Sequence, residues 1–434
     1  MKRFRATRMS VFASTLCLAL VAGTAACGND DGGADGPVEL TFWAWTPSIE
    51  KVVDQWNAAN PDTKVTFSKQ AGGDEMLTKL LTAAKANEAP DLAQAEYQVL
   101  PTLVSNNVLV DISKYVGDAK DKFAPGVWGQ VTLGGDLVYA VPQDSGPMML
   151  YYRSDLFTQY GLTVPKTWDE FAATAAALRA KDPTKYLTTF SSSDPGWFTG
   201  LVQQAGGKWW GYSGDTWSVS VNDSATKKVA DYWGGLVSRG VIDNKPMYTP
   251  EWNKALNDGT LLAWPSAIWA PGVLTGNAPD TLGKWSMTAL PQWSAGDNRT
   301  GNWGGSSTGV TRSSKHKEAA AKFALWMNSD AAATTTLVRE SGIYPAARAA
   351  QDGPALQQPP AFFPQQARFY AEAKAIADTA APFVWGPNVN VTYATYKDAF
   401  GKAIAQKTPF GAAVDAMQEA TVADMRKSGF KLAG

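Results

Sequence analysis

Apolar positions near the start of the folded chain recur with two different periods. In Val38-Glu39-Leu40-Thr41-Phe42 they alternate with polar residues, which predicts a strand. Ile49, Val52, Val53 and Trp56 then recur at helical spacing, up to a stop at Pro61. Val65-Thr66-Phe67 gives a second strand. Leu77, Leu80 and Leu81 mark a second helix that ends before Pro90, and Asp91-Leu92-Ala93 begins a third strand. Strands and helices in alternation predict a parallel sheet with helices on both faces. Ligands of such sheets sit beyond the carboxyl ends of the strands, which places Trp43, Trp45, Gln70 and Glu96 near a cleft.

The segment Tyr139–Tyr152, Y-A-V-P-Q-D-S-G-P-M-M-L-Y-Y, holds two strand-like runs separated by Pro142 and Pro147. Proline donates no hydrogen bond in a sheet interior, so Gln143-Asp144-Ser145-Gly146 reads as a crossing between two lobes. It can bend, and it offers polar groups to a ligand; an ordinary loop between strands is the plainer alternative. Further on, Thr167 caps a helix and Glu170, three places later, completes a capping box. Tyr186 to Phe190 reads as a strand before the loop Ser191–Trp197, and Gly206 to Trp217 as surface turns. Leu261–Pro271 is a strand breaking into a loop that carries Trp264 and Trp269, and Trp285–Leu290 is a further strand. Gly301–Val310 reads as the second crossing, Glu318–Met327 as a helix, and Asn328–Ala331 as the third crossing. The tail from Phe369 is mostly helical, with a break at Trp385-Gly386-Pro387-Asn388.

Length agrees with two lobes, because 434 residues exceed what one hydrophobic core spans. A net charge of −1 carries no basic excess for nucleic acid. His316 is the single histidine, which argues against histidine metal sites and Ser-His-Asp chemistry; it sits at a helix start as a solvated surface residue. The chain has no P-loop glycine pattern, no H-E-x-x-H and no short-period repeat. At the N-terminus, Lys2, Arg3, Arg5 and Arg8 precede a short apolar run, Val11 to Val21, of signal-peptide length. Thr24-Ala25-Ala26-Cys27 resembles a bacterial lipobox, although Thr24 stands where lipoboxes favour Leu; ordinary secretory cleavage after Ala26 is the runner-up. Once Cys17 leaves with the signal, Cys27 is alone, and lipidation supplies a reason for it. Gly28 to Pro37 reads as a flexible tether.

The order of the pieces carries a resemblance. A lipobox, F-W-A-W, A-P-D-L, Y-A-V-P-Q-D-S-G-P-M-M-L-Y-Y-R-S-D-L-F, P-K-T-W-D-E-F, G-T-L-L-A-W-P-S-A-I-W and G-G-S-S-T-G-V-T-R-S-S-K-H-K-E-A-A-A-K-F together resemble the extracytoplasmic solute-binding proteins of ABC sugar importers (family 1). That resemblance implies an α/β, two-lobe periplasmic-binding-protein-like fold of type II. Each lobe is a mostly parallel sheet flanked by helices, and a three-segment hinge joins them. Residues 1–26 form the signal peptide and 27–37 the lipid-anchored linker. The first lobe takes 38–143 and 307–328, the second 144–306 and 329–434. The lobes close on a carbohydrate, without catalysis or cofactor, and the closed form docks on a permease. The protein acts as a monomer held by a lipid on Cys27 to the outer face of the bacterial cell membrane.

Carried over onto this chain, the family's contacts fall on Trp43, Trp45, Thr46, Gln70, Glu96, Asp144, Ser145, Trp197, Trp269, Trp303, Gly304, Gly305 and Trp385. The chemistry suits a sugar: indoles cover its C–H face while carboxylates and amides pair with its hydroxyls. For each Trp the alternative is core packing, and for Asp144 and Glu96 a helix cap or solvated loop. Competing functions are an exported glycoside hydrolase with paired carboxylates, a binding lipoprotein for peptides or other non-sugar solutes, and a surface adhesin.

Overall fold

The computed structural model describes residues 37–433, so the signal peptide, Cys27 and nearly all of the tether lie outside the described residues. Strands β1 (Val38–Ala44), β2 (Thr63–Lys69), β3 (Leu92–Glu96), β4 (Ala140–Pro142) and β10 (Ser306–Val310) form one sheet in the order β2-β1-β3-β10-β4. β1 runs parallel to β2 and β3, as the alternation of strands and helices predicts. β10 comes back from the other lobe, so it pairs antiparallel with β3 and β4. Pro142 is tolerated because β4 is an edge strand. The helix Glu50–Ala59 buries Val52, Val53 and Trp56, and the Trp56 indole donates to the Thr63 carbonyl at 3.0 Å.

The second lobe is built on β5 (Met148–Arg153), β8 (Ala263–Ala267) and β9 (Trp285–Ala289), in the order β8-β5-β9. Both pairings are antiparallel, which corrects the expected mostly parallel sheet for this lobe. β5 carries the chain in, and both of its neighbours run back toward the crossings. Parallel pairing survives only as single bridges such as Tyr186–Leu261 and Thr189–Asp243, so Tyr186–Phe190 is not a full strand. Gly206–Trp217 is not merely surface turns: β6 (Trp210–Ser213) and β7 (Thr216–Val219) form a hairpin, and Trp209 before it and Trp210 at its start are buried. Thr167 does cap the helix Trp168–Lys181, accepting the Glu170 N–H at 3.2 Å. Trp168, Trp197 and Trp233 fill the core of this lobe edge to face, with ring centroids 4.9 Å apart for Trp197–Trp233 and 5.6 Å for Trp168–Trp233.

Two crossings run side by side between the sheets. Gln143 and Asp144 N–H groups donate to the Ser306 carbonyl, Trp303 N–H to Gly146, and Met148 N–H to Gly301. The approach is close enough to require glycine. A methyl on Gly146 would overlap the Trp303 carbonyl, and one on Gly301 would overlap the Gly200 carbonyl in the helix Pro195–Gln204.

The expected third crossing at Asn328–Ala331 falls elsewhere. Asp330 caps a new helix, Ala331–Thr336, by accepting the Ala332 and Ala333 N–H groups. That helix stays on the first lobe, where the Gln55 amide donates to Thr336 Oγ1 at 2.8 Å and the Ser341 hydroxyl to the Pro47 carbonyl at 2.5 Å. The chain joins the other crossings only at Tyr344–Ala346. There Ser145 N–H donates to the Tyr344 carbonyl, and Ala346 N–H to that of Gln143.

Candidate functional site

The strand ends of the first lobe are tied together by one buried amide. Gln94 Oε1 accepts the N–H groups of Trp45 and Thr46 at 3.0 and 3.1 Å, and Gln94 Nε2 donates to Thr46 Oγ1 at 2.7 Å and Ser306 Oγ at 2.9 Å. Gln143 Nε2 reaches the same Thr46 hydroxyl at 3.1 Å. A satisfied network of this kind fixes the loop after β1 against both crossings. β3 ends at Glu96, whose carboxylate accepts Gln98 Nε2 at 2.7 Å. Asp144 Oδ1 accepts the Ser306 N–H at 2.6 Å, so this carboxylate pins one crossing to the other while facing the space between the lobes. Gly304 and Gly305 adopt φ of 78° and 97°, the left-handed region that favours glycine.

From the second lobe, Trp269 follows β8 and Trp385 lies in the break before the helix Val389–Gln406. The Trp269 indole donates to the Trp303 carbonyl at 3.0 Å, and the two rings meet edge to face with centroids 4.6 Å apart. Trp303 is itself wedged against Trp264 at 6.1 Å. Trp45, Thr46, Glu96, Asp144, Ser145, Trp269, Trp303, Gly304, Gly305 and Trp385 all line one cavity of about 750 Å³ between the lobes.

Three of the expected contacts lie outside it. Trp197 falls inside the helix Pro195–Gln204, not in a loop; it is fully buried, with its indole donating to the Pro265 carbonyl at 2.9 Å. Gln70 is half-buried beside β2 and donates to Ser68 Oγ at 2.8 Å. Trp43 points to the other side of β1 from its neighbours, under the Lys79 ammonium at 4.5 Å.

The cavity also takes residues the sequence reading passed over. Asp194 caps the helix behind Trp197 by accepting its N–H at 3.0 Å, and the D-P-G start of that helix was a legible signal for a carboxylate at a lobe edge. A π-helical turn over Leu337–Ser341, closed by Gly342 at φ 68°, delivers Ile343 and Tyr344 to the wall. Asp74 and Lys397 form a 3.0 Å ion pair across the lobes, and nothing in either segment announces it.

Charge in the cavity is one-sided. Asp74, Glu96, Asp144 and Asp194 line it, and Lys397 is the one cation among the lining residues. Burial pushes the Glu96 carboxyl up to about 7, helped by Asp74, Asp144 and Asp194. Asp144 rises to about 6 because burial outweighs its hydrogen bonds from Ser306. Asp194 also rises to about 6 through burial, against hydrogen bonds from Trp197 and Gly196, the Trp303 indole and the charge of Lys397. All three side chains still touch the water of the cavity, so the energies behind these shifts are smaller than in a sealed core.

A carboxyl whose folded pKa is raised adds stability below its unfolded value and loses it as pH climbs through the folded one. The ligand-free protein therefore melts a few degrees higher at pH 5 than at pH 7.5, and Glu96→Gln flattens the slope between pH 5 and 7. Melting curves across that window check it; stability rising with pH in both proteins contradicts it.

Comparison with known proteins gives consistent matches. A family model described as bacterial extracellular solute-binding protein matches residues 43–334. The lactose-binding protein of Rhizobium radiobacter is 28% identical over 385 residues, covering 83% of this chain and 85% of the relative. Among solved structures, the galacto-N-biose/lacto-N-biose I-binding protein of the ABC transporter from Bifidobacterium longum, in complex with lacto-N-biose, superposes with a TM-score of 0.84 at 28% identity, over 93% of this chain and 100% of that one. The ABC transporter associated binding protein from B. animalis subsp. lactis Bl-04, in complex with β-1,6-galactobiose, gives a TM-score of 0.81 at 26% identity, over 92% and 100%.

Proposed function

The chain belongs to the bacterial extracellular solute-binding proteins, and from that premise we propose that it captures a neutral saccharide by lobe closure and hands it to an ABC importer. The observation that supports this most is the cavity between the lobes, where the indoles of Trp269, Trp303, Trp45 and Trp385 share one space with the carboxylates of Glu96, Asp144 and Asp194. Flat apolar faces beside carboxyl groups match a sugar ring, with its C–H face and its rim of hydroxyls. Both lobes and all three crossings contribute to the wall. A ligand held there contacts more protein in the closed form, and so draws the population toward it.

Lactose, lacto-N-biose and β-1,6-galactobiose are the sugars named for the similar proteins, and β-galactosyl disaccharides are accordingly the first ligands for this chain. The lobes are 38–143 with 307–344, and 144–306 with 345–434. Cys27 carries the lipid that anchors the protein outside the membrane, the protein is a monomer, and it binds without turnover. Anionic sugars are excluded, since four carboxylates meet them and the Lys397 ammonium is already paired with Asp74.

Tryptophan emission titrated with lactose, lacto-N-biose, β-1,6-galactobiose, galacturonate and sn-glycerol 3-phosphate tests the proposal, on protein lacking residues up to Cys27. A neutral disaccharide shifts the emission, and the two anions bind at least ~30-fold more weakly. Equal binding of the anions overturns the charge argument. Free monosaccharide released during incubation overturns the binding-protein reading in favour of a hydrolase.

A further inference from the structure

The carboxyl ends of β1 and β3 lead into the cleft residues Trp45, Thr46 and Glu96. Their amino ends therefore lie at the opposite pole of the first lobe, about 20 Å away along the seven residues of β1. The described chain begins at that far pole. Val38 N–H donates to the Asp62 carbonyl, and Val38 pairs with Thr63 at the start of β2. β10 runs antiparallel to β3, so the chain beyond Val310 arrives at the same pole. There Trp56, Asn60, Thr63 and Tyr115 form a hollow of about 570 Å³ with the start of the helix Lys317–Ser329 and the two residues before it.

The two poles carry opposite charge. Lys315, Lys317 and Lys322 line the hollow, and Glu318 is the one carboxylate among its lining residues, ion-paired with Lys322 at 2.6 Å. Lys114 stands exposed beside them, 4.6 Å over the Tyr115 ring. Asp62 and Asp111 flank the hollow and keep the positive excess small. The cleft has the reverse balance, with Asp74, Glu96, Asp144 and Asp194 against Lys397. For a chain of net charge −1 this is a separation of charge, not a general basic excess. An anionic surface attracts the lysine pole and repels the cleft.

We propose that the hollow at Lys315, Lys317 and Lys322 is a docking surface for an anionic phospholipid bilayer, which seats the anchored protein with its cleft facing the medium. The seating rests on the lipid at Cys27 proposed above. Cys27 lies eleven residues before Val38, so even a fully extended chain keeps this pole within about 40 Å of the bilayer. A cleft held outward is placed to collect solute. Handing the solute to a permease requires the protein to turn over, and a contact made by a few lysines is weak enough to release it.

Co-sedimentation tests it, with vesicles of phosphatidylcholine alone or mixed with phosphatidylglycerol, at low salt, on protein lacking residues up to Cys27. Neither lipidation nor sugar binding enters that result, so its failure leaves the saccharide reading untouched; a failure of lipidation shows separately, as a mature chain whose mass lacks acyl groups. The protein binds the anionic vesicles at least ~10-fold better than the neutral ones, and physiological salt weakens the contact. Lys315→Glu combined with Lys317→Glu and Lys322→Glu removes that preference while the melting temperature stays that of the unmodified protein. Should the triple variant unfold, Lys315→Glu alone decides, through a loss of at least ~5-fold. On anionic vesicles amide exchange slows over residues 313–322 and not over residues 43–46. Equal binding to both vesicles, a preference that survives charge reversal, or slowing at the cleft instead overturns the proposal. Full release by soluble sn-glycerol 3-phosphate makes the hollow a small-anion site and overturns it too.

Discussion

Trp269→Ala weakens saccharide binding about 100-fold, and melting temperature falls by only about 1–2 °C. A buried aromatic anchor at a binding site is worth 2 kcal/mol or more, and about 2.7 kcal/mol is a factor of 100. Two losses add up here. The indole face leaves the cavity wall, and the N–H that fixes the Trp303 carbonyl at 3.0 Å leaves with it, so Trp303 loses its edge-to-face partner. The stability cost is smaller because Trp269 is half-buried and belongs to neither packed sheet core. Trp269→Phe keeps a ring but no donor and falls between the two. Calorimetry and thermal melting on the same samples decide the matter. Unchanged affinity with a large loss of stability makes Trp269 a core residue and removes it from the site.

Gly301→Ala has the largest expected effect on folding. The added methyl overlaps the Gly200 carbonyl oxygen and crowds Gln203 Cβ, and the first of these is backbone that cannot rotate away. Gly200 is tight as well, although a methyl there would strike the Met148 sulfur, a side-chain atom that can move. The second crossing thus lies directly on the helix Pro195–Gln204, and relief requires the crossing to move off it. Overpacking of this kind costs about 3 kcal/mol, which for a chain of this size lowers the melting temperature by roughly 4 °C. Gly401→Ala is the control. It sits inside the helix Val389–Gln406 with open space around it, so replacing that glycine raises stability slightly. Equal melting temperatures for the two variants would remove the close approach from the account.

Much of the lining of the candidate cavity was legible because its residues follow breaks in periodicity. Trp45 and Thr46 come where β1 stops alternating, Asp144 and Ser145 between two prolines, and Gly304 and Gly305 in a run too glycine-rich for a strand interior. Trp197 misled because S-S-S-D-P-G-W reads as a loop, whereas Asp194 and Pro195 start a helix and turn the indole inward. Gln70 lies one residue beyond β2, and strand-end logic places it near the cleft without fixing the direction of its side chain. The antiparallel sheet of the second lobe was hidden for a similar reason. Periodicity gives strands but not the direction in which distant ones pair. The third crossing moved because Asn328–Ala331 looks like a break, yet Asp330 satisfies the next helix and keeps the chain on the first lobe. Asp74 and Lys397 lie more than 300 residues apart, and only the packed lobes bring them to 3.0 Å.

Ligand is expected to draw two lobes together around the crossings at Asp144, Trp303 and Tyr344. Without residues up to Cys27 the chain has no cysteine, so Glu75→Cys and Lys402→Cys place one spin label on an exposed helix of each lobe. Pulsed electron–electron distance measurement is made with and without saturating β-1,6-galactobiose. A broad or longer distribution is expected without sugar, and a single narrow, shorter distance with it. An unchanged distribution, in a sample that calorimetry shows to be saturated, contradicts it.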